Sequence, residues 1–562
     1  MFIAKKKISG KDYYYIQKSF RGEGGKVRSI TVSYGGKTRE DAEKKLLDLR
    51  EKENKEKNIK QDVGQSFMVQ EELHENKEEK LKSIEDLANF CKAKGFVFRS
   101  SDIYGGLAGF WDFGPLGIEL FNNIKAEWWN FFVKKRDNMA GIEASIISHP
   151  RTWKASGHIA TFSDMAVVCK KCGKATKIDK SEVGKVKCSD CGGEYDVKGE
   201  FNLMFKTSIG ALNPMDSYLR GETAQGMFLD FKLIQQTSRL QLPFGIAQIG
   251  RCFRNEIAPR DFMFRSREFH IGEFEFFIHP EEKKCNLLNQ KHLNIEFNFL
   301  DEETQKSGKS DLKKVKMKEL LEKNKIDEWH AYWLAEQIIW FRSIGLNEIK
   351  IREHTKDELS HYSSATFDID YMFPFGSYEF AGNANRGQYD LKQHEKESKQ
   401  DMSIFDENTK SKVIPRVIEP TFGMERIFMA VLTKAYYYDK NRNYVVLKIP
   451  PRLAPIKAAV FPIVKRDDYE KICRDIVEDL REEWNVVYDK SGSIGRRYAR
   501  NDEIGTPYCI TIDEESINDN SATIRNRDNT QQIRVKISDI RDILRKLIKQ
   551  EIEFDNVGKI IR

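Results

Sequence analysis

"FRNEIAPRDFMFRSREF", residues 253–269, sets four arginines between phenylalanines and adds two glutamates and one Ala-Pro pair. Burying an unpaired charge is costly, so this mixture predicts a site where an anionic ligand lies against an aromatic ring. A solvated charged face would not need the phenylalanines. On these residues alone the alternative stays open, namely surface arginines paired with Glu256 and Glu268.

The two ends of this stretch are predicted to be paired strands, with Ala258-Pro259 at the tip of the hairpin. On paired strands, the guanidinium groups of Arg254 and Arg267 can converge on one phosphate group through bidentate hydrogen bonds. Phe269 falls on the same strand face as Arg267 and can stack on a purine. Glu256 aligns with Arg254 and can accept a hydrogen bond from an exocyclic amine.

Length and composition limit the classes of protein that remain. A chain of 562 residues, 40% of them hydrophobic, is too long for one core and predicts three or four domains. The net charge of +7 only weakly indicates a polyanionic partner. The sequence has no apolar run long enough for a membrane span and no apolar leader after the first lysines, so we expect a cytoplasmic protein without membrane contact.

Residues 1–60 are predicted to form a small basic module of three strands followed by a helix that begins at Thr38. This pattern resembles the arm-type DNA-binding modules of some integrases and transposases. A nucleic-acid contact and a merely solvated surface both stay open. The polar, low-complexity residues 61–82 are predicted to be a linker.

The rest of the chain predicts a multidomain fold of mixed α+β and α/β type. A body spans 83–450, with a strong helix that starts at Pro115 and a charged, mainly helical insertion over 281–345. Residues 454–562 alternate strand and helix patterns around a Gly-rich turn, which predicts a separate mixed α/β domain.

Four cysteines carry the most specific isolated signal. Cys169, Cys172, Cys188 and Cys191 form two CxxC pairs with a 15-residue spacer, the spacing of a zinc ribbon. Four thiolates leave no coordination position for water, so the metal would be structural and would hold an insertion over 166–200. The alternative is two reduced cysteine pairs in a loop.

Two further stretches place charge at the start of a helix. "EPTFGMERIFMAVL", residues 419–432, sets a carboxylate, Gly423 and Arg426 before an apolar helix, and "RGETAQGMF", residues 220–228, puts Glu222 in a polar loop. Each pattern is common when it occurs alone. Their occurrence in one chain is what gives them meaning.

Together these stretches resemble the class II aminoacyl-tRNA synthetases. "FRNEIAP…FRSREF" is similar to motif 2 of that class, "EPTFGMERI" to motif 3, and the segment from "GPLGIEL" to Pro150 to motif 1, the dimer element. "WKASGH", "FNLMFKT", "RGETAQG", "LPFGIAQIGRCFRNE", "ELSHYSSATFDIDYMFPFG" and "IRNRD" narrow the resemblance to the homodimeric glycyl-tRNA synthetases over about residues 83–548. It implies an antiparallel-sheet catalytic core, a C-terminal anticodon-binding domain and a homodimer.

The resemblance also implies an activity. Glycine and ATP would form glycyl-adenylate and pyrophosphate, and glycine would then pass to the 3′ end of tRNA(Gly). Attack at a phosphate needs charge neutralisation more than a side-chain nucleophile, so arginines and Mg²⁺ are the expected apparatus. The implied cofactors are ATP, Mg²⁺ and structural Zn²⁺.

By resemblance, Arg254 and Arg426 are the predicted catalytic residues. Arg254 would hold the α-phosphate, Glu256 would bind the adenine amine, and Phe269 with Arg426 would sandwich the adenine ring. Glu358 is the predicted magnesium ligand. The implied ATP site comprises Arg254, Asn255, Glu256, Phe264, Arg265, Ser266, Arg267, Glu268, Phe269, Glu358, Leu359, Gly423, Met424, Glu425 and Arg426.

The glycine pocket must recognise an ammonium and a carboxylate and exclude any side chain. Glu222, Glu273 and Glu419 match the acidic cluster of the family, and a rigid wall must reject alanine because one missing methyl contact discriminates poorly. Thr421 stands where the family has serine. The implied glycine site comprises Glu222, Phe269, His270, Ile271, Gly272, Glu273, Glu419, Pro420, Thr421, Phe422 and Gly423.

The resemblance assigns tRNA recognition to the C-terminal domain. Its predicted tRNA contacts are four arginines placed in loops, and pairing of some of them with Asp502 or Glu503 is an equal alternative: Arg496, Arg497, Arg500 and Arg525. The alternative function is a non-catalytic synthetase paralogue acting as a nucleic-acid-binding accessory subunit. The arginines of motifs 2 and 3 are all present, which argues against it.

Overall fold

The structure is a computed structural model, and it forms two compact units, Met1–Glu79 and Lys80–Arg562. No helix among the described residues is both long and apolar enough to cross a membrane. The residues described are 2–8, 11–21, 27–36, 38, 40, 41, 43, 81–178, 183–259, 261–359 and 363–561.

The first unit contains the predicted three-stranded sheet. Its strands are β1 Phe2–Ile8, β2 Lys11–Arg21 and β3 Val27–Gly36, which pair antiparallel in the order β1-β2-β3. The predicted helix begins as expected, because the Thr38 hydroxyl accepts from the Asp41 N–H. The rest of that helix and residues 61–80 of the predicted linker lie outside the described residues.

The second unit begins with a large body in which strands and helices alternate along the chain. Its strands are β4 Val97–Arg99, β5 Trp111–Phe113, β6 Met139–Gly141, β7 Ile147–Ser148, β8 Ser163–Cys169, β9 Ala175–Ile178, β10 Tyr195–Asn202, β11 Lys206–Ile209, β12 Met215–Leu219, β13 Phe244–Phe253, β14 Glu268–Ile278, β15 Glu296–Leu300, β16 Lys313–Lys316, β17 Ile349–Glu353, β18 Ala365–Phe373, β19 Gly376–Gly387, β20 Ile404–Asp406, β21 Ser411–Val413, β22 Arg416–Gly423, β23 Tyr436–Asp439 and β24 Tyr444–Leu447. Its helices are α1 Ile84–Lys94, α2 Pro115–Trp129, α3 Pro150–Ala155, α4 His158–Thr161, α5 Ala224–Leu229, α6 Phe231–Thr237, α7 Gln290–Leu293, α8 Glu302–Lys306, α9 Met317–Glu322, α10 Glu328–Ser343, α11 Tyr389–Ser398 and α12 Met424–Ala435.

A mostly antiparallel sheet is the frame of this body, with strand order β16-β15-β17-β18-β19-β22-β14-β13-β6. One face of β14 packs on helices, as the Phe274 ring lies 4.7 Å from the Trp333 ring of α10, centroid to centroid. Since side chains alternate along a strand, Phe269, Glu273 and Glu275 face the other side. That face carries the candidate site.

The helix predicted to start at Pro115 is confirmed as α2. Its buried side is formed by residues at three- and four-residue steps, including Leu120, Ile124 and Trp128. Gly117 is required here, because a Cβ at this position would lie 1.8 Å from the carbonyl oxygen of Phe96. The helix therefore packs directly against the backbone immediately before β4.

The predicted helical insertion over 281–345 contains four helices, α7 to α10, but it also adds two strands to the body. β15 and β16 extend the central sheet, and α10 is buried through Trp329, Trp333 and Trp340. The lysine-rich sequence misled because β16 is an edge strand whose charged side chains face water while Val315 is buried. This segment is part of the core.

The last part of the second unit is a mixed α/β domain with its own core. Its strands and helices are β25 Ala458–Pro462, α13 Asp467–Arg481, β26 Val486–Tyr488, α14 Ile494–Ile504, β27 Tyr508–Ile512, α15 Glu514–Asp519, β28 Ser521–Asn526, β29 Gln532–Lys536, α16 Ile540–Ile548 and β30 Lys559–Ile560. The sheet order is β26-β25-β27-β28-β29-β30, parallel around β25 and antiparallel beyond β27.

The predicted Gly-rich turn of this domain is largely the helix α14, so that prediction is wrong. The glycines lie at its ends. Gly505 caps the C-terminus with a left-handed backbone of φ 86°, as glycine commonly does. Between the caps the helix buries Arg497, Asn501 and Asp502. Because the buried residues of this helix are polar, its sequence lacks the periodic apolar residues that would have indicated a helix.

Candidate active site

The stretch 253–269 folds as the predicted hairpin. β13 and β14 are antiparallel with Phe253 opposite Glu268, and the Arg254 N–H extends the ladder to the Arg267 carbonyl at 3.0 Å. The loop tip rests on the preceding segment, because a Cβ on Gly109 would lie 2.7 Å from Cβ of Pro259. The hairpin is therefore held at both its base and its tip.

A cavity of about 290 Å³ opens between this hairpin, β18, β19 and β22. Most of the predicted ATP and glycine residues line it, and they come from motifs about 150 residues apart in the chain. The predicted residues that line the cavity are Arg254, Glu256, Phe264, Arg265, Ser266, Phe269, His270, Ile271, Glu419, Thr421, Gly423, Glu425 and Arg426.

Arg254 lies flat in an aromatic corner of the cavity. Its guanidinium carbon is 5.2 Å from the Phe162 ring centroid and 5.4 Å from that of Phe269, and its Nε donates to the Gly221 carbonyl at 3.1 Å. These contacts fix the plane of the cation while it borders the cavity. Such a held guanidinium is suited to a phosphate group.

Arg426 occupies the opposite wall, in the first turn of α12. Its Nε donates to the Phe264 carbonyl at 3.2 Å and its Nη1 to the Glu379 carbonyl at 2.7 Å. Because Gly423 immediately precedes the helix, β22 can deliver the start of α12 to the cavity edge. Arg426 and Phe269 therefore border one space.

Arg267 is placed differently from the prediction. Its guanidinium donates to the Glu256 carbonyl at 2.8 and 3.1 Å and to the Ala108 carbonyl at 3.1 Å, and it does not line the cavity. Arg265 instead pairs with the Glu256 carboxylate at 2.8 Å. Only the backbones of Arg254 and Arg267 converge, while their side chains diverge.

Glu358 and Leu359 also lie outside the cavity. The Glu358 carboxylate accepts from Arg352 Nη1 at 3.0 Å and from the Thr355 N–H at 2.9 Å. Glu379, which was not predicted, lines the cavity beside Arg426, with 53% of its side chain exposed. Its carboxylate can therefore be reached by a ligand in the cavity.

The other predicted residues outside the cavity have packing or backbone roles. Met424 and Phe422 are fully buried in the core, and a Cβ on Gly272 would lie 3.0 Å from Sδ of Met424. The Asn255 N–H donates to the Leu203 carbonyl at 2.8 Å, and Glu268 accepts from Arg251 at 2.7 Å. Pro420 is buried within β22.

A buried acidic cluster adjoins the Glu419 end of the cavity. The Glu222 carboxylate lies 3.1 Å from Nε2 of His158, and Glu273 accepts from the Thr223 hydroxyl at 2.5 Å and the Thr421 hydroxyl at 3.0 Å. The three predicted acids are thus close together, on β14, β22 and the loop before α5.

One buried guanidinium holds part of this cluster together. Arg386 donates from Nε and Nη2 to the Asp390 carboxylate, both at 2.8 Å, and from Nη1 to Glu419. Glu275 is fully buried two residues after Glu273, and its carboxyl oxygens have no hydrogen-bond partner among the described residues. One oxygen from each of Glu273, Glu275 and Glu419 lies within 4.8 Å of the others.

Burial controls the protonation of this cluster. Burial, with Glu419 and Glu222 nearby, raises the pKa of Glu273 to about 8. Burial also raises the pKa of Glu419 despite Arg386, and the pKa of Glu275 lies well above its usual value. Burial alone would raise the pKa of Glu222, but His158 and Arg386 outweigh it and hold this pKa well below its usual range.

Comparison with known proteins matches both parts of the second unit. A family profile described as "Anticodon binding domain" matches residues 457–547. A protein named "Glycine--tRNA ligase" from Treponema denticola is 39% identical over 482 residues, covering 83% of this chain and 97% of its own length. Proteins of the same name from Borreliella burgdorferi and Geobacillus thermodenitrificans are each 40% identical, over 81% and 83% of this chain and 96% and 98% of their own lengths.

The chain belongs to the glycine–tRNA ligase family. The enzyme class of that family is the aminoacyl-tRNA-forming ligases. The mostly antiparallel sheet and the C-terminal anticodon-binding domain agree with the fold that the sequence predicted.

Sequence reasoning missed several residues of the ligase cavity and acidic cluster. Arg386 follows "AGNAN" on β19 and gave no charge pattern, and His158 was visible only as the last residue of "WKASGH". Glu275 could have been found, because a residue two positions after Glu273 on a strand shares its face. The missed residues are His158, Thr223, Gln225, Glu275, His354, Thr366, Glu379, Asn383, Arg386 and Asp390.

Two of the four arginines predicted to contact tRNA are buried in the anticodon-binding domain. Arg525 lies in β28 and forms a bidentate pair with the fully buried Asp502 at 2.8 and 2.9 Å, the alternative that the sequence left open. Arg497 donates to the Pro462 and Gly492 carbonyls. Arg496 and Arg500 are exposed on α14, where Arg500 contacts Asp489. None of the four lies in a loop.

Asp502 also joins the anticodon-binding domain to the body of the ligase. Arg442 Nη1 lies 3.0 Å from the Asp502 carboxylate, and the Tyr444 hydroxyl donates to it at 2.9 Å. Arg442 lies in the turn between β23 and β24 of the body, and Tyr444 is the first residue of β24. Arg525 from one domain and the hairpin from the other therefore share one carboxylate.

The four predicted zinc ligands come together at the ends of a three-stranded sheet, β10-β8-β9. The sulfurs of Cys169 and Cys191 are 3.4 Å apart, and those of Cys172 and Cys188 are 3.8 Å apart. A Cβ on Gly193 would lie 2.8 Å from the Cys169 sulfur. No disulfide joins cysteines in the described residues.

Proposed function

We propose that the chain activates glycine with ATP to glycyl-adenylate and then transfers glycine to the terminal adenosine of tRNA(Gly). One observation carries this proposal. A single cavity runs from two guanidiniums beside an aromatic ring, Arg254 and Arg426 with Phe269, to a buried acidic cluster at Glu419. The first end suits a nucleotide, and the second suits a small ammonium.

At the nucleotide end, adenine stacks on Phe269 beneath Arg426, which gives stacking and cation–π attraction. Arg254 holds the α-phosphate, where it stabilises the charge that develops as the glycine carboxylate attacks. Glu256 receives the adenine amine once it is released from Arg265. Arg265 then turns to the triphosphate. Pyrophosphate leaves, and no side chain acts as a nucleophile.

At the glycine end, the ammonium lies among Glu222, Glu273 and Glu419, and the carboxylate points to Arg254. Arg386 and His158 fix the acids in place through Glu419 and Glu222. A site built from rigid, mutually bonded side chains leaves no room for a methyl group, which is how alanine is rejected.

Magnesium is assigned to Glu379 in place of Glu358. The Glu379 carboxylate is half-exposed on the cavity wall next to Arg426, and carboxylate oxygen is the ligand that Mg²⁺ prefers. Bound there, the ion would neutralise charge on the phosphates. A Glu379→Gln variant should lose most pyrophosphate exchange and regain part of it at high Mg²⁺, whereas Glu358→Gln should stay near wild type. The reverse ranking would restore Glu358.

Zinc is assigned to the four cysteines. A tetrahedral ion with Zn–S bonds of about 2.3 Å needs sulfurs about 3.8 Å apart, and the sulfur distances of 3.4 and 3.8 Å are close to that value. The ion would hold the β8–β10 ribbon and take no part in the reaction. Metal analysis should find one zinc per chain, and a Cys172→Ser, Cys188→Ser double variant should lose it.

The proposal includes a homodimer in the cytoplasm. A groove of about 950 Å³ beside α2 is lined by Trp129, Ile142 and Ile146, and the neighbouring Ile147 is exposed. Apolar side chains along the segment that resembles motif 1 favour contact with a second copy. Sedimentation at micromolar concentration should give twice the chain mass, and a monomer at that concentration would remove this part of the proposal.

Contacts to tRNA are assigned to the C-terminal domain and to the basic module at residues 1–60. Arg496 and Arg500 remain candidates for phosphate contact because both are exposed. A chain without residues 1–79 should bind tRNA more weakly and with a smaller salt dependence. Unchanged affinity at every salt concentration would make the module irrelevant to tRNA.

Pyrophosphate exchange measured with different amino acids tests the whole proposal. Glycine should support exchange, while alanine, serine, threonine and proline should not. Exchange with another of these amino acids would change the substrate. Exchange with none would favour the accessory-subunit alternative.

A further inference from the structure

The acidic cluster contains more carboxyl groups than positive charges. Glu222, Glu273, Glu275, Asp390 and Glu419 surround the guanidinium of Arg386. His158 adds one imidazole beside Glu222, and Arg220 adds a second guanidinium near Glu273. Unpaired buried carboxylates are costly, so such groups hold protons when no cation is bound.

The Thr421 hydroxyl indicates where one of these protons lies. Its oxygen is 3.0 Å from Oε1 of Glu273 and 3.3 Å from Oε1 of Glu419. One hydroxyl has one hydrogen, so it can donate fully to one of these oxygens and presents a lone pair to the other. A second ionised carboxylate facing that lone pair would be repelled, whereas a protonated carboxyl group would donate to it. The geometry therefore favours one proton on the Glu273–Glu419 pair.

Glu275 holds a second proton, and this one is not displaced when a ligand binds. It is fully buried, and neither of its carboxyl oxygens has a partner among the described residues. Ionisation would leave a buried charge without a single hydrogen bond, the least favourable arrangement available to it. Glu275 is therefore neutral whether or not a ligand is bound nearby.

The surroundings of Glu273 explain why its proton can be displaced. Burial, Glu419 and Glu222 raise its pKa to about 8, while the Thr223 hydroxyl favours the ionised form. The titratable and charged groups that face Glu273 or Glu275 from the packed elements are Glu419 on β22, Glu222 before α5 with His158 behind it, Arg386 on β19, Asp390 on α11, Arg220 after β12 and Cys252 on β13.

We propose that glycine enters this pocket in exchange for the proton shared by Glu273 and Glu419. The ammonium of glycine takes the place of that proton, the carboxyl O–H bond breaks, and the proton passes to the buffer. The positive charge within the acidic cluster is conserved, since one ammonium enters and one proton leaves, while the glycine carboxylate stays outside the cluster, at Arg254. This inference rests on the proposed function, because it requires that the ligand of the cluster is the ammonium of glycine.

The exchange makes glycine binding depend on pH in a defined direction. Below about pH 8, each glycine must displace one proton, so the glycine KM should fall about tenfold for each unit of rising pH. Above that pH, the pair is already ionised and the dependence should disappear. The ATP KM should not follow this pattern, because the nucleotide contacts other groups.

Calorimetric titration of the full chain with glycine at about pH 7, in buffers of different ionisation enthalpy, counts the protons directly. The expected result is close to one proton released per glycine bound. Glycine that binds with the same heat in every buffer would overturn the proton exchange and leave the proposed function intact. An absence of glycine binding, with no glycine-dependent pyrophosphate exchange, would overturn the proposed function itself.

Two variants locate the proton. Glu273→Gln cannot supply it, so any remaining glycine binding should release none, and the pH dependence of the glycine KM should flatten. Glu275→Gln replaces one neutral group with another of the same shape, so it should keep the wild-type proton count. A count that falls to zero in Glu275→Gln would place the exchanged proton on Glu275 and overturn the assignment to the pair.

Discussion

Two buried ionic clusters in this chain have opposite balances of charge. At the domain junction, one carboxylate, Asp502, receives two guanidiniums and a tyrosine hydroxyl. In the candidate glycine pocket, carboxyl groups greatly outnumber the guanidinium of Arg386. The first cluster is complete without a ligand and fixes structure. The second is short of positive charge, which is what a site for a small cation requires.

Removing the centre of the complete cluster should give the largest change. Asp502→Ala leaves Arg525 buried without a counter-charge and leaves Arg442 with Asp439 alone, so it should lower the free energy of unfolding by about 3–5 kcal/mol. Urea unfolding measures this change. Asp479→Ala, at the exposed pair with Arg541, should cost less than about 1 kcal/mol. Similar losses in the two variants would show that burial of the junction is unimportant.

Removing the Arg386 guanidinium from the acidic cluster should lower the free energy of unfolding slightly less, because protons on the carboxyl groups can replace its positive charge. Arg386→Met should lower stability by about 3 kcal/mol, and the loss should be greater at pH 8 than at pH 6, because the buried Glu419, whose pKa is already raised, can take up a proton at the lower pH. Urea unfolding at the two pH values measures the difference. Equal losses at both would mean that the freed carboxyl groups do not titrate in this range.

Neutralising one acid of the pocket should weaken glycine binding without unfolding the chain. Glu222→Gln removes the charge that His158 holds in place, and hydrogen bonds to a charged group are worth about 1.5–3 kcal/mol. The glycine KM should rise about ten- to hundredfold, while the ATP KM stays nearly constant. Steady-state pyrophosphate exchange gives both constants. Arg426→Met should do the opposite, and equal effects on both substrates would count against the assignment of Glu222.

The smallest change should come from removing a proton site. Glu275 has a raised pKa, so the folded chain holds a proton there that the unfolded chain releases above the ordinary glutamate range. Its contribution to stability therefore falls as pH rises. Relative to wild type, Glu275→Gln should gain about 1.4 kcal/mol of unfolding free energy for each pH unit between pH 6 and pH 7. A pH-independent difference would mean that Glu275 is ionised in the folded chain.

The nucleotide half of the site could be predicted from the sequence because it is local. Arg254 and Phe269 lie on adjacent strands of one hairpin, and hairpin register follows from the turn and the alternation of residues. Arg426 is one turn into a helix whose start was readable from Gly423. That Arg426 joins Arg254 and Phe269 in one cavity followed from the resemblance to the class II synthetases and not from spacing.

The other site residues could not be predicted, because their positions depend on partners that are distant in the sequence. Glu358 and Glu379 are both acids beside strands, and only the folded sheet shows that Glu379 borders the cavity. Arg525 has the same composition signal as an exposed phosphate contact, but Asp502, 23 residues earlier, neutralises it. The pocket was predicted through three acids, yet Arg386, which was not predicted, sets how much of their charge is balanced. Sequence shows which charges exist but not which of them meet.

The shared carboxylate at Asp502 has a consequence for how a tRNA would bind. Since Arg525 of the anticodon-binding domain and Arg442 of the catalytic body grip the same group, and Arg527 also donates to the Ile449 carbonyl, the two domains are clamped at that point. The distance from the anticodon-binding domain to the catalytic cavity is therefore fixed by this junction. A tRNA that contacts both surfaces must therefore match that distance.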